Sequence, residues 1–164
     1  MRAFTLVSKW LMVLIFVGVS VDQTLFAQSL TSTQGLSFGS FVASNGGTIS
    51  VSHTGARSQT GTVGLITLRS NSSAAQISIS GGPSNAIFSL GLPADGVAAL
   101  ELVGGAGGRG TAMPLSKFVS SLGPSPTLTS SGTQQFSVGA TLQVQPNQPV
   151  GDYSATINVT VQFN

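Results

Sequence analysis

The sequence predicts an all-β protein, one antiparallel β-sandwich domain. Three observations carry that expectation. Apolar residues recur with period two rather than the helical 3.6. Gly, Pro and Asn punctuate the alternation at short, nearly even intervals. Beyond residue 27, no stretch places apolar residues at i, i+3, i+4 and i+7 over successive helical turns.

Residues 1–27 stand apart from this pattern. Arg2 and Lys9 precede the apolar run 10–19, and Leu25-Phe26-Ala27 offers a small-residue cleavage site. That order of charge, apolar core and cleavage site is a secretory signal peptide. A membrane anchor needs about 20 apolar residues, and Asp22 and Gln23 interrupt the run too early. Cleavage after Ala27 is expected, leaving a mature chain with no membrane anchor and no tryptophan, because Trp10 is the only one. Export through the inner membrane to the periplasm, the cell surface or the medium follows from the same segment.

The mature chain is one domain's worth of sequence. Residues 28–35 form a short leader with Leu30 as its sole apolar residue, and the sandwich is expected over 36–164. Leu36 and Phe38 share a strand face, with Phe41 or Val42 continuing past a bulge at Gly39. Ser44-Asn45-Gly46-Gly47 is a turn, Asn-Gly being tolerant of positive φ. Ile49 and Val51 alternate in the next strand, and 54–61 reads as loop. Val63 and Leu65 mark a strand, as do Ala75, Ile77 and Ile79. A Gly-Gly-Pro-Ser-Asn turn leads into the strand of Phe88 and Leu90, and 97–103 reads as strand. The glycine-rich run from Gly104 to Gly110 and the polar run 120–132, with Pro124 and Pro126, read as loops. Phe136, Val138, Ala140, Leu142 and Val144 alternate without a break. After a last turn, Tyr153, Ala155, Ile157, Val159, Val161 and Phe163 alternate to the end of the sequence. Eight or nine short strands so spaced point to an immunoglobulin-like sandwich.

Charge and composition exclude several functions. After residue 27, Arg57, Arg69, Arg109 and Lys117 stand against Asp95, Glu101 and Asp152, an excess of one positive charge. No cluster of Lys and Arg exists to neutralise phosphates, so no nucleic-acid partner is expected. Without cysteine there are neither disulfides nor thiolate metal ligands. The core, or a partner, must supply all the stability of so small a domain.

No motif supports catalysis. Gly35-Leu36-Ser37-Phe38-Gly39 matches a nucleophile elbow in form, but the elbow needs a strand-to-helix turn and a histidine after the acid. Here the context is strand, and His53 precedes every acidic residue of the mature chain. Gly105-x-Gly107-x-x-Gly110 matches a dinucleotide fingerprint in form, yet Pro114 follows where a helix should begin, and no acid lies about 20 residues on. His53, followed by Thr54 and Gly55, reads as a solvent-facing residue at a strand end. The acids are scattered singly, so no acid/base pair or cation site is expected. The reading is non-enzymatic, with no catalytic residue, no cofactor and no metal. Asn71-Ser72-Ser73 and Asn158-Val159-Thr160 fit glycosylation sequons.

Five spaced motifs together resemble a family of exported bacterial domains, domain of unknown function 4402. They are Leu36-x-Phe38-Gly39, Gly46-Gly47-Thr48-x-x-Val51, Phe136-x-Val138-Gly139-Ala140-x-Leu142, Asn147-Gln148-Pro149-x-Gly151-x-Tyr153 and Val159-Thr160-Val161-x-Phe163-Asn164. More distantly the signature is similar to chaperone–usher pilins and spore coat U-like proteins. That resemblance implies a pilin-like sandwich lacking its last strand, completed first by a periplasmic chaperone, with an usher as further partner, and then by strand exchange with like subunits. The chain lacks the cysteine pair of many pilins and has no apolar donor segment in its leader. The resemblance implies an exported fimbrial or adhesive surface subunit, with Tyr153, Ala155, Ile157, Val159, Val161 and Phe163 as the interaction strand. The alternative is a self-contained secreted module that binds glycan or protein through its loops.

Overall fold

The structure, a computed structural model, describes residues 28–68, 71–103 and 112–163. The expected signal peptide 1–27 and the glycine loop 104–110 lie outside the described residues. Among the described residues there is no helix, and every strand pairing is antiparallel.

The longest alternating run makes the central strand. β10 (Gln134–Val144) is long enough to hold two neighbours end to end along one side. There, β6 (Ala75–Ser80) pairs with its first half and β3 (Gly47–Val51) with its second. Along the other side runs β9 (Met113–Ser120). Further out, β1 (Ser29–Gln34) adds to β6, β4 (Arg57–Gly61) to β3, β8 (Ala99–Leu102) to β9, and β11 (Tyr153–Ser154) to β8. Two short ladders cover the inner face: β2 (Phe41–Val42) with β5 (Gly64–Leu65), and β7 (Phe88–Gly91) with β12 (Thr160–Phe163). The result is the expected antiparallel sandwich.

Burial follows the alternation. Phe136, Val138, Ala140, Leu142 and Val144 all face inward. Leu142 lies opposite Ile49 on one side and Leu115 on the other, in the core cluster under β2 and β5. Phe136 lies opposite Ile77, in a second cluster with Ile79, Phe88 and Leu128 under β7 and β12. Each such side chain, fully buried, contributes about 1.5–3 kcal/mol. Phe118 packs against both clusters and joins them. On the opposite face of β10, Gly139 is buried because the backbone of Val51 and Ser52 crosses it so closely that any Cβ would overlap the Val51 carbonyl oxygen.

Several elements depart from the expected pattern. Residues 57–61, read as loop, form β4, a sheet-edge strand beyond the reach of the core. Cross-strand hydrogen bonding holds it there, with the hydroxyls of Thr48 and Thr60 2.7 Å apart. Strand β9 carries no clean alternation because Lys117, at φ 49°, bulges and shifts the register between Gly139 and Thr141 of β10. The Asp95 carboxylate accepts the Lys117 N–H at 2.7 Å and fixes the bulge. In the 44–47 turn, positive φ falls on Ser44, Gly46 and Gly47 and not on Asn45. The leader residues run beside β6 as β1, with all six side chains exposed.

The terminal strand, expected to be continuous over 153–163, is split. Its start, β11, pairs with β8 of the large sheet, and its end, β12, pairs with β7 of the facing layer. Residues 155–159 lie between the two ladders and belong to neither. Period two persists through the crossing because one extended chain serves two layers in turn.

Candidate functional site

The site is built from the terminal strand and the segment that faces its beginning. Asn147 adopts φ 55° and donates its N–H to Ser44 O at 3.1 Å, which ties the last turn to the 44–47 turn. Next to it Gln148 is buried, and its Nε2 donates to the Tyr153 hydroxyl at 3.1 Å. That hydroxyl donates in turn to Pro149 O at 2.8 Å. Tyr153 thus closes a corner onto the backbone four residues upstream, as a tyrosine does at the corner of a sandwich. Its ring is half-buried against the first core cluster.

The opposite wall is 36–44. Ser37 and Ser73 exchange backbone hydrogen bonds at 2.8 and 2.9 Å, and the Ser37 hydroxyl donates to Asn71 O at 2.9 Å. Ser40 O accepts from the Ile66 N–H at 3.1 Å and from Arg57 Nη2 at 2.8 Å. Burial of the Arg57 guanidinium lowers its pKa from the usual arginine value. Between the walls lies a concavity of about 1010 Å³, lined among others by Leu36, Phe38, Phe41, Leu100, Met113 and Tyr153. Polar and apolar groups line it in nearly equal share, and Asp152 is the one charged residue among the described lining.

The row expected from the sequence divides between the two cores. Tyr153 and Ile157 pack on the first cluster; Val159, Val161 and Phe163 pack on the second. The Phe163 ring sits tilted on Phe88 at a centroid distance of 6.0 Å. All five are only half-buried, while their counterparts on β10 are fully buried. Ala155 departs from the row: it is exposed, at the start of the crossing. Among the described residues β11 pairs with β8 alone and β12 with β7 alone, so each leaves one edge without a ladder. The 36–44 wall was missed as part of this site; Leu36, Phe38 and Phe41 signal a strand, but nothing local says which strand they face.

The other residues weighed for chemistry lie elsewhere. Ser37 is engaged with the Asn71 carbonyl as described, and His53 is exposed in the turn between β3 and β4. Among the described residues no three His, Asp or Glu gather to hold a metal ion, and no helix is long and apolar enough to cross a membrane.

A family model described as Domain of unknown function (DUF4402) matches residues 29–163. The match runs from the first residue of β1 to the last of β12. No curated protein and no solved structure matches the chain.

Proposed function

We propose, on the premise that this chain belongs to the domain of unknown function 4402 family, that it is a non-enzymatic, exported structural or adhesive subunit that associates by β-strand addition. One observation carries this reading. An apolar row that alternation assigns to a core is left half-buried at Tyr153, Ile157, Val159, Val161 and Phe163 and exposed at Ala155, beside strand edges that have no partner among the described residues. Unpaired edges of this kind recruit other chains unless they are blunted by charge, proline or a cover. Residues 153–163 carry a single alternation with neither charge nor proline. An incoming strand would supply the missing backbone hydrogen bonds, and its alternate side chains would cover the row and fill the concavity beside 36–44.

The test appends a strand of alternating apolar residues beyond Asn164 through a short Gly/Ser linker. The unmodified mature domain should self-associate or unfold readily, and the extended one should be a stable monomer. An unmodified domain that melts cooperatively as a monomer, with no gain from the added strand, would refute the reading. A second reading, a self-contained secreted binding module, is favoured by the polar row on the outer side of the same segment, Thr156, Asn158 and Thr160, which is exposed throughout.

A further inference from the structure

We infer that the crossing segment 155–159 and the loop that follows β7 form a binding site for a single neutral sugar ring. The two elements flank an open concavity of about 280 Å³, just below the range of drug-sized ligand pockets and enough for one small ring. One wall is polar. Thr156, Asn158 and Thr160 follow each other at alternate positions and line the concavity from one side. None of these three side chains hydrogen-bonds to another described residue. They offer two hydroxyls and one amide, all able both to donate and to accept. Thr160 is set close over Gly91, where any Cβ would overlap its Oγ1, so its hydroxyl lies flush with the floor of the site.

The other wall is apolar and stiff. Leu92, Pro93 and Val97 line it, and Val97 is 75% exposed. A loop presenting an apolar side chain to water would ordinarily be mobile, but this one is pinned at three points. Asp95 Oδ1 accepts the Lys117 N–H at 2.7 Å, the Gly96 N–H donates to Leu115 O at 2.8 Å, and Ala98 O accepts from the Leu115 N–H at 2.8 Å. A pre-formed cleft with an apolar wall opposite a row of neutral donor-acceptors matches a pyranose, whose C–H face and hydroxyl edge have the same two-sidedness. Among the described residues no charged side chain lines the concavity, so the match is to a neutral sugar. This site is on the outer side of the terminal segment and does not depend on strand addition along its edge.

The experiment is saturation-transfer NMR on the mature protein, which reads the ligand and works on monomer and assembly alike. The probes are the methyl glycosides of glucose, galactose, mannose and N-acetylglucosamine, each at about 20 mM, where a millimolar site is filled. Glucuronic acid serves as the charged control. At least one neutral glycoside should receive saturation, and glucuronic acid should receive less. Asn158→Ala and Thr156→Val, both at exposed positions, should each weaken binding by roughly fivefold, the worth of one hydrogen bond. No transfer to any neutral glycoside would overturn the proposal, as would binding that both variants leave unchanged. Preference for glucuronic acid would overturn it too, as would an extended peptide, instead of a sugar, that slows amide exchange at 155–159.

Discussion

Replacing Tyr153 by phenylalanine removes one oxygen atom and two hydrogen bonds, and the two are not equal in worth. Pro149 O, which accepts the hydroxyl proton at 2.8 Å, belongs to an exposed residue and regains a bond from water. Gln148 Nε2, which donates to the hydroxyl at 3.1 Å, belongs to a buried side chain that water reaches poorly. A neutral hydrogen bond is worth about 0.5–1.5 kcal/mol net, toward the upper end where the donor is buried. Tyr153→Phe should therefore destabilise the domain by about 1.5 kcal/mol, lowering Tm by about 4–6 °C for a domain of this size. Urea titration followed by circular dichroism, on a form that unfolds in one step, measures it; the urea slope should stay constant while the midpoint falls. Gln148→Ala and the double variant complete a cycle in which the pair should couple by about 1 kcal/mol. An unchanged midpoint, or strictly additive single effects, would show that the corner rests on packing of the ring and not on the hydroxyl.

Other expectations are read by the same titration or by mass. Gly139→Ala should cost about 2 kcal/mol or more, because its methyl group meets backbone that can move only by disturbing β3. Lys117→Gly should stabilise by about 0.5–1 kcal/mol, since a lysine at φ 49° is held in a conformation that glycine adopts freely; a loss of stability would mean that the lysine side chain supports the bulge. Intact-mass measurement on protein recovered from the cell envelope or medium should find a chain beginning at Gln28, and retention of Trp10 would refute the signal-peptide reading.

What the sequence made legible depended on where each strand sits relative to the core. β10 is readable because inward residues alternate along its full length, with β6 and β3 paired along one side and β9 along the middle of the other. β4 is silent, since an edge strand beyond the core has no apolar face to impose a period. β9 is silent for another reason: the bulge at Lys117 breaks its alternation, and Pro114 argues against strand. In the candidate site, the row from Tyr153 to Phe163 was visible, but its division between two ladders was not. Alternation records which way side chains point and carries no label for the strand across the hydrogen bonds. The facing wall at 36–44 was hidden for the same reason, because contact between segments more than 100 residues apart leaves no mark on either one.

The central place of β10 also decides the order in which this molecule can assemble. β3 and β6 leave the ribosome long before the strand that joins them, and the Ser50–Thr141 hydroxyl contact closes a separation of 91 residues. Until Gln134–Val144 has been made, neither β3 nor β6 has its main partner, and each can form only its local or edge pairings. Closing such distant contacts is entropically slow. A nascent chain with β3 and β6 still waiting for β10 presents Ile49, Val51, Ile77 and Ile79 on unpaired edges, a state prone to aggregation. Folding of this sandwich is therefore gated by the last fifth of its sequence, and its yield should respond more sharply to factors that hold the unfinished chain apart from its neighbours than to those that stabilise the finished fold.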